Sequence, residues 1–228
     1  LFVSFFPQLL QGPIGRFDKL GHQFYEGHKF DLKTVQFGLQ RIGWGIAKKV
    51  ILADRTAPLV NNVFGNFEMY TGFHYIMAVL MYSVQLYMDF SGGIDIVIGV
   101  AQMFGITMDE NFRQPYFSKS IGEFWRRWHI TLGSWFREYV YIPLGGNRKG
   151  QVRTIFNTFV VWALTGLWHG ASWNFVLWGI IFFVLLTIEK SGFENILDRY
   201  KVLSHIYAML IIPMSWIVFA LENLSDIG

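Results

Sequence analysis

Cysteine is absent from the 228-residue sequence, and charged side chains are scarce. Without cysteine there is no disulfide, thiolate nucleophile or Cys-ligated zinc, so any catalytic base or nucleophile must be another side chain. Charged residues make up 15% of the chain, hydrophobic residues 53%, and the mean hydropathy is +0.34. Soluble domains average about 25% charged residues. The composition therefore predicts a membrane protein rather than a water-soluble globule.

The chain also lacks an initiator methionine, a signal peptide, an internal repeat and a low-complexity linker. Its last residues, Leu221 to Gly228, have the composition of the start of a loop. We therefore expect one membrane domain, residues 1–228, that is an internal piece of a longer protein whose N- and C-terminal spans are missing.

Three stretches approach the roughly 20 apolar residues that a spanning helix needs. They are Met69 to Met88, Ser172 to Ile188, and Leu203 to Leu221. Two shorter stretches, Val35 to Ala53 and Ile155 to Trp168, are interrupted by charge or end at His169. Broken helices at membrane depth are typical of functional cavities, so we predict partial, re-entrant or interfacial helices there.

Positive charge is concentrated in residues 113–153, which hold eight Lys and Arg residues against two Glu. Short basic segments usually stay on the cytoplasmic side and bind anionic headgroups. Within this stretch, residues 121–139 separate into an apolar face and a charged face at helical spacing. The sequence predicts one amphipathic helix in the membrane interface, with His129 as the polar residue on its apolar face.

Two histidines are candidates for general acid/base work, which imidazole performs near neutral pH. His129 is either a satisfied core histidine or a functional group in a polar cavity, because an unpaired polar group there costs several kcal/mol. His169 ends an apolar helix whose same face carries Trp162 and Thr165, which we expect to line the approach of the substrate. It is either at headgroup level or directed into the helix bundle.

Asp89 and Asp95 lie in or beside apolar runs, where ionisable groups are expensive and commonly functional. Asp89 is predicted as an interior hydrogen-bonding group or helix cap, and Asp95 as either structural or functional. The turn-rich loop from Tyr141 to Gly150 includes Asn147 and Arg148, which are candidates for holding an anionic headgroup or a cofactor phosphate.

Several long motifs resemble the membrane-bound O-acyltransferase (MBOAT) family, in particular its bacterial branch with alginate O-acetylation and teichoic acid D-alanylation subunits. They are Glu110-Asn-Phe-Arg-Gln-Pro-Tyr-Phe-Ser118, the run from Glu123-Phe-Trp-Arg-Arg-Trp-His129 to Asn147-Arg148, and Leu164-Thr-Gly-Leu-Trp-His-Gly-Ala-Ser-Trp-Asn174. The resemblance covers essentially the whole chain.

The resemblance implies that His169 is the catalytic histidine and that His129 is the second histidine near a central reaction tunnel. It implies an all-α, multi-pass protein of the bacterial cytoplasmic membrane, with Trp168 and Asn174 of the third motif at the substrate. The donor would be acetyl-CoA or another acyl thioester that enters on the cytoplasmic side. The acceptor would be a hydroxyl of a polysaccharide or of an extracytoplasmic esterase-like partner, with neither a metal nor nucleic acid involved.

Two other functions fit the same residues. A transporter or flippase of a lipid-linked glycan or acyl carrier would also use broken helices and intramembrane Asp residues. An assembly scaffold would use both histidines only for packing.

Overall fold

The computed structural model describes residues 1–9 and 11–220, apart from the side chain of Phe67. The predicted terminal loop, Leu221 to Gly228, lies outside the described residues, as does the last residue of the predicted segment Leu203 to Leu221. All regular structure in the described part of the chain is helical, which confirms the all-α prediction.

The α-helices of the described residues fall in two groups along the chain. The first group is α1 (Phe17–Leu20), α2 (Leu32–Ala47), α3 (Asp54–Gly65) and α4 (Gly72–Met103). The second group is α5 (Ile121–Arg127), α6 (Ile130–Phe136), α7 (Gln151–His169), α8 (Trp173–Ile188), α9 (Glu194–Arg199) and α10 (Lys201–Ala220). Wider π-helical turns span Lys48–Ala53, Arg137–Tyr141 and Glu189–Phe193, and short 3₁₀ turns span Phe6–Gln8, His22–Phe24, Phe67–Met69 and Pro115–Phe117.

Within the described residues, three helical stretches are long and apolar enough to cross a membrane: Gly72–Met103, Trp173–Arg199 and Lys201–Ala220. They coincide with the three apolar segments predicted from the sequence. The first runs 15 residues past the predicted Met88, because the acidic residues beyond that point form ion pairs and do not end the helix. Three spanning candidates are thus present by length and composition.

The two segments predicted as partial helices are more regular than expected. Residues 35–53 form most of α2 and continue into the π-helical turn Lys48–Ala53 without a break at Arg41. The predicted segment Ile155 to Trp168 belongs to α7, whose 19 residues reach about 28 Å. Polar residues at its start extend it, and the Thr154 hydroxyl donates to the Gly150 carbonyl there.

Residues divide into two compact units, Leu1–Phe112 and Arg113–Gly228. The prediction of one domain over residues 1–228 stays a prediction. Unit 1 has a core that includes Leu20, Ile94, Ile98 and Ile106. Unit 2 has a core of aromatic rings from α5, α7, α8 and α10.

In unit 1, α2 and α4 pack at two pairs of facing glycines. A Cβ added at Gly45 would lie 2.5 Å from the Gly92 carbonyl oxygen, and one at Gly38 would lie 2.6 Å from the Gly99 carbonyl oxygen. Small residues of this kind allow membrane helices to approach closely. The close approach also brings the cationic side chains of α2 to the acidic residues of α4.

Candidate active site

His169 is the last residue of α7, and aromatic rings surround its half-buried imidazole. Its ring centroid lies 5.0 Å from Trp168, 5.2 Å from Trp178 of α8 and 5.1 Å from Phe219 of α10. The contacts with Trp178 and Phe219 are edge-to-face, the arrangement that aromatic pairs favour. Three helices of unit 2 therefore fix the orientation of this imidazole.

His129 lies between α5 and α6 and is only 5% exposed. Its backbone is left-handed, with φ 45° and ψ 53°, which is uncommon for a residue other than glycine. Such a conformation persists only when its surroundings hold it, and it is typical of functional sites.

The prediction of one continuous helix over residues 121–139 is therefore wrong. The chain turns at Trp128 and His129, and a π-helical turn follows at Arg137. Its apolar face packs inside unit 2, where Ile121, Phe124 and Trp128 are at most 5% exposed. Periodicity missed the break because the apolar spacing is the same on both sides of it.

The imidazoles of His129 and His169 both lie close to the ring of Trp168. The Trp168 ring lies 6.0 Å from His129 and 5.0 Å from His169, measured between ring centroids. Neither histidine belongs to the three apolar spanning stretches. Burial lowers the pKa of both, and charge on His169 lowers the pKa of His129 further. Both rings are therefore neutral near neutral pH, and each keeps one nitrogen lone pair that can accept a proton.

Of the other predicted residues, Asn174 and Trp168 lie at the histidine pair. The Asn174 amide donates to the carbonyl oxygen of Phe219 at 3.3 Å, and the Phe219 ring contacts His169. Trp162 and Thr165 are buried and serve packing of α7: the Trp162 ring lies 5.0 Å from Trp125, and the Thr165 hydroxyl donates to its own helix. Their role in substrate binding stays a prediction.

Asn147 and Arg148 are not brought to the histidines. They lie in the loop before α7, so the length of that helix, about 28 Å, separates them from His169. Asn157 and Arg153 of α7 hold this loop by donating to the carbonyls of Gly146 and Leu144, and the Tyr141 hydroxyl donates to Asn147. Arg148 is exposed. A site for a phosphate at this loop stays a prediction.

Asp95 is a member of an ion-pair network in unit 1. Its carboxylate accepts from Arg41 at 3.0 Å and from Lys48 at 2.6 Å, and its side chain is 14% exposed. Arg41 also binds both oxygens of Glu110, at 2.7 and 2.6 Å. Two cations thus balance two carboxylates, which supports the structural alternative for Asp95.

Asp89 is not a helix cap, because it lies inside α4. Its half-exposed carboxylate pairs with Lys49 at 2.8 Å, and Lys49 also binds Asp54 at 2.9 Å. A hydrogen-bonding role for Asp89 agrees with this ion pair, whereas the predicted interior position and the predicted capping role were both wrong.

Sequence reasoning missed Trp178 and Phe219, which complete the surroundings of His169. They lie in α8 and α10, which are apolar on all sides, so periodicity singles out none of their residues. One signal was available, because Trp178 follows Asn174 by four residues and so shares its helical face.

Comparisons with known proteins agree with the resemblance. The sequence model of the membrane-bound O-acyltransferase family matches residues 1–222. A probable alginate O-acetylase of Pseudomonas putida is 42% identical over 98% of this chain and 46% of its own length. A peptidoglycan O-acetyltransferase of Helicobacter pylori is 38% identical over 99% of this chain and 44% of its own length.

A more distant relative is a teichoic acid D-alanyltransferase of Bacillus subtilis, 28% identical over 88% of this chain and 53% of its own length. The chain spans about half the length of the curated relatives it matches. The family suggested by the sequence motifs is confirmed.

Proposed function

The chain belongs to the membrane-bound O-acyltransferase family, and from that premise we propose that it carries the acid/base centre of an enzyme that acylates hydroxyl groups of a cell-envelope polymer. The observation that carries the proposal is that the buried imidazole of His129 and the half-buried imidazole of His169 both lie against the ring of Trp168. The relatives are named for alginate, peptidoglycan and teichoic acid, and we propose a polymer of that class as acceptor.

The donor in this proposal is an acyl thioester, with acetyl-CoA as the first choice. His169 takes the proton of the acceptor hydroxyl while the hydroxyl oxygen attacks the thioester carbonyl carbon. The carbon–sulfur bond then breaks, and the leaving thiolate takes the proton back from His169. General base catalysis of this kind contributes about 10²- to 10⁴-fold to a rate.

His129 is proposed as the second group of the site. Burial lowers its pKa, so its ring stays neutral and donates an N–H to the carbonyl oxygen as negative charge develops there. A neutral ring also places no second positive charge beside His169 when that residue is protonated. The aromatic rings shield part of the site from water, which strengthens both interactions.

We propose that the protein lies in the bacterial cytoplasmic membrane, with the donor entering from the cytoplasm. The three apolar spanning helices and the basic stretch 113–153 support this placement. The acceptor is then on the outer side, where an esterase-like partner receives the acyl group on a serine before the polymer does. Acyl transfer that is equally fast without any partner would contradict the relay.

The proposal is tested by reconstituting the full-length protein with labelled acetyl-CoA, the esterase-like partner and the acceptor polymer. We expect His169→Ala to lose at least about 100-fold in transfer rate, the low end of general base catalysis. His22→Ala is the matched control, because His22 is an exposed histidine outside the site, and it should keep the wild-type rate. Equal rates for the two variants would contradict the proposal.

A transporter function is not favoured by the ion pairs. The acidic residues that suggested it are both paired with cations: Asp95 with Arg41 and Lys48, and Asp89 with Lys49. Translocation of a labelled glycan lipid without covalent acylation in proteoliposomes would restore that alternative.

A further inference from the structure

Glu189 is a buried carboxylate that the proposed reaction does not use. It is 3% exposed and directly follows α8. A carboxylate in so apolar a place costs several kcal/mol unless hydrogen bonds compensate it. Its position therefore needs a structural reason, and its hydrogen bonds supply one.

Both oxygens of Glu189 bind the first turn of α5. Oε1 accepts from the backbone N–H of Ile121 at 2.6 Å, and Oε2 accepts from that of Gly122 at 2.9 Å. The Ser120 hydroxyl accepts from the next amide, Glu123, at 3.0 Å. These bonds satisfy three of the four amides that a helix start leaves without a partner. The Tyr207 hydroxyl of α10 also donates to Glu189.

Gly122 makes room for this carboxylate. A Cβ at that position would lie 3.3 Å from Glu189 Oε2 and 3.4 Å from the Arg126 guanidinium. Even an alanine there would require one of these two side chains to shift by a few tenths of an ångström. The glycine in the first turn of α5 thus leaves space for the Glu189 carboxylate at the end of α8.

From this anchor, α5 runs antiparallel along α8 towards the histidines. The Trp125 ring, one turn on, lies 4.9 Å from Phe182 and 5.4 Å from Trp178. Trp178 in turn contacts His169. His129 follows two residues after α5 ends, and the Arg113 amide binds the Arg127 carbonyl at that end at 2.9 Å.

We infer that Glu189 is a positioning residue: by fixing the start of α5 on the end of α8, it holds the left-handed turn of His129 opposite His169. The effect of Glu189 on the acyl-transfer rate rests on the proposed function. Its effect on the position of α5 rests only on the hydrogen bonds described above. Ring contacts of Phe124 and Trp125 pack the middle of this seven-residue helix, whereas the hydrogen bonds to Glu189 fix its first turn. Loss of the anchor therefore lets the first turn shift along α8.

Three variants of the full-length protein test this inference. Glu189→Gln keeps the size but turns one acceptor oxygen into an amide group that faces a backbone N–H. Glu189→Asp keeps both oxygens on a stem shorter by one methylene. Glu194→Gln is the matched control, because Glu194 is an exposed glutamate five residues further on and loses the same charge.

We expect Glu189→Gln to lower kcat by about 10- to 100-fold, since a 1 Å misplacement costs up to roughly that factor. KM for acetyl-CoA should stay within about twofold, because donor binding does not involve this residue. Glu189→Asp should recover part of kcat, and Glu194→Gln should match wild type. Wild-type kcat in Glu189→Gln, or a rise in KM alone, would overturn the inference.

A second measurement does not depend on activity. Residues 1–228 contain no cysteine. In a full-length protein with every cysteine outside that range replaced, spin labels at Arg137→Cys, just after α6, and Val184→Cys, on α8, report one distance between these segments. The distance distribution should broaden or shift in both Glu189 variants and stay unchanged in Glu194→Gln. An unchanged distribution in folded Glu189→Asp would overturn the inference, whereas a shift in a protein without any acyl transfer would count against the proposed function alone.

Discussion

Replacing Gly45 with alanine is a direct test of how α2 and α4 pack. The added Cβ would lie 2.5 Å from the Gly92 carbonyl oxygen and 3.0 Å from the Ile96 amide nitrogen. Both are backbone atoms, so no side-chain rotation can relieve the contact. Carbon and oxygen atoms in contact lie about 3.3–3.6 Å apart, so the two helices must separate locally by about 1 Å.

The magnitude follows from two opposing effects. Overpacking of this kind costs about 1–3 kcal/mol. Alanine in place of glycine in a helix interior gains up to about 1 kcal/mol by propensity. Gly43→Ala gains the same propensity but meets no atom within 4 Å, so it is the matched control. The difference between the two variants isolates the packing cost of about 1–3 kcal/mol.

Thermal unfolding of the full-length protein in detergent measures this difference, with tryptophan fluorescence as the signal. We expect Gly45→Ala to unfold about 2–12 °C below Gly43→Ala, from about 2–4 °C for each kcal/mol. Midpoints within about 1 °C of each other would refute the close glycine packing of these helices.

Three further predictions follow from the ion pairs, the histidine pair and the loop before α7. Asp95→Ala should lower the unfolding temperature more than Asp54→Ala, because Asp95 is buried between two cations while Asp54 is half exposed; equal shifts would contradict this. Burial lowers the pKa of His169, so this base stays neutral and the transfer rate should stay flat as pH falls through about 6.5. A pH–rate profile in which the transfer rate falls with a midpoint at about pH 6.5 or above would contradict this. Arg148→Ala should raise KM for acetyl-CoA and leave kcat unchanged if the loop holds the donor phosphates, and an unchanged KM in steady-state kinetics would remove that role.

The positions of the helices were largely predictable from the sequence because length and hydrophobicity determine them. The segment Ser172 to Ile188 differs from α8 by one residue at its start. The segment Met69 to Met88 was too short, because hydropathy treats Asp89 and Asp95 as the end of a span. Their cationic partners come from α2 and the π-helical turn after it, 40 or more residues away, and no local pattern reveals such a pairing.

The candidate site was predictable only in part. His129 and His169 were found from chemistry and from family motifs, and their common neighbour Trp168 lies in one of those motifs. The left-handed turn at His129 was not predictable, since one residue of unusual backbone leaves the apolar spacing intact. Glu189 was missed as well, because its role comes from binding amides 67 and 68 residues away.

The central claim is that His129 and His169 act as one unit in acyl transfer, and a double-mutant cycle tests it most directly. Single-turnover transfer from labelled acetyl-CoA would be measured for wild type, His129→Ala, His169→Ala and the double variant. We predict that His169→Ala loses at least about 100-fold and that the double variant loses hardly more, because groups that act together are not additive. A wild-type rate in His169→Ala, or losses that multiply in the double variant, would contradict the claim.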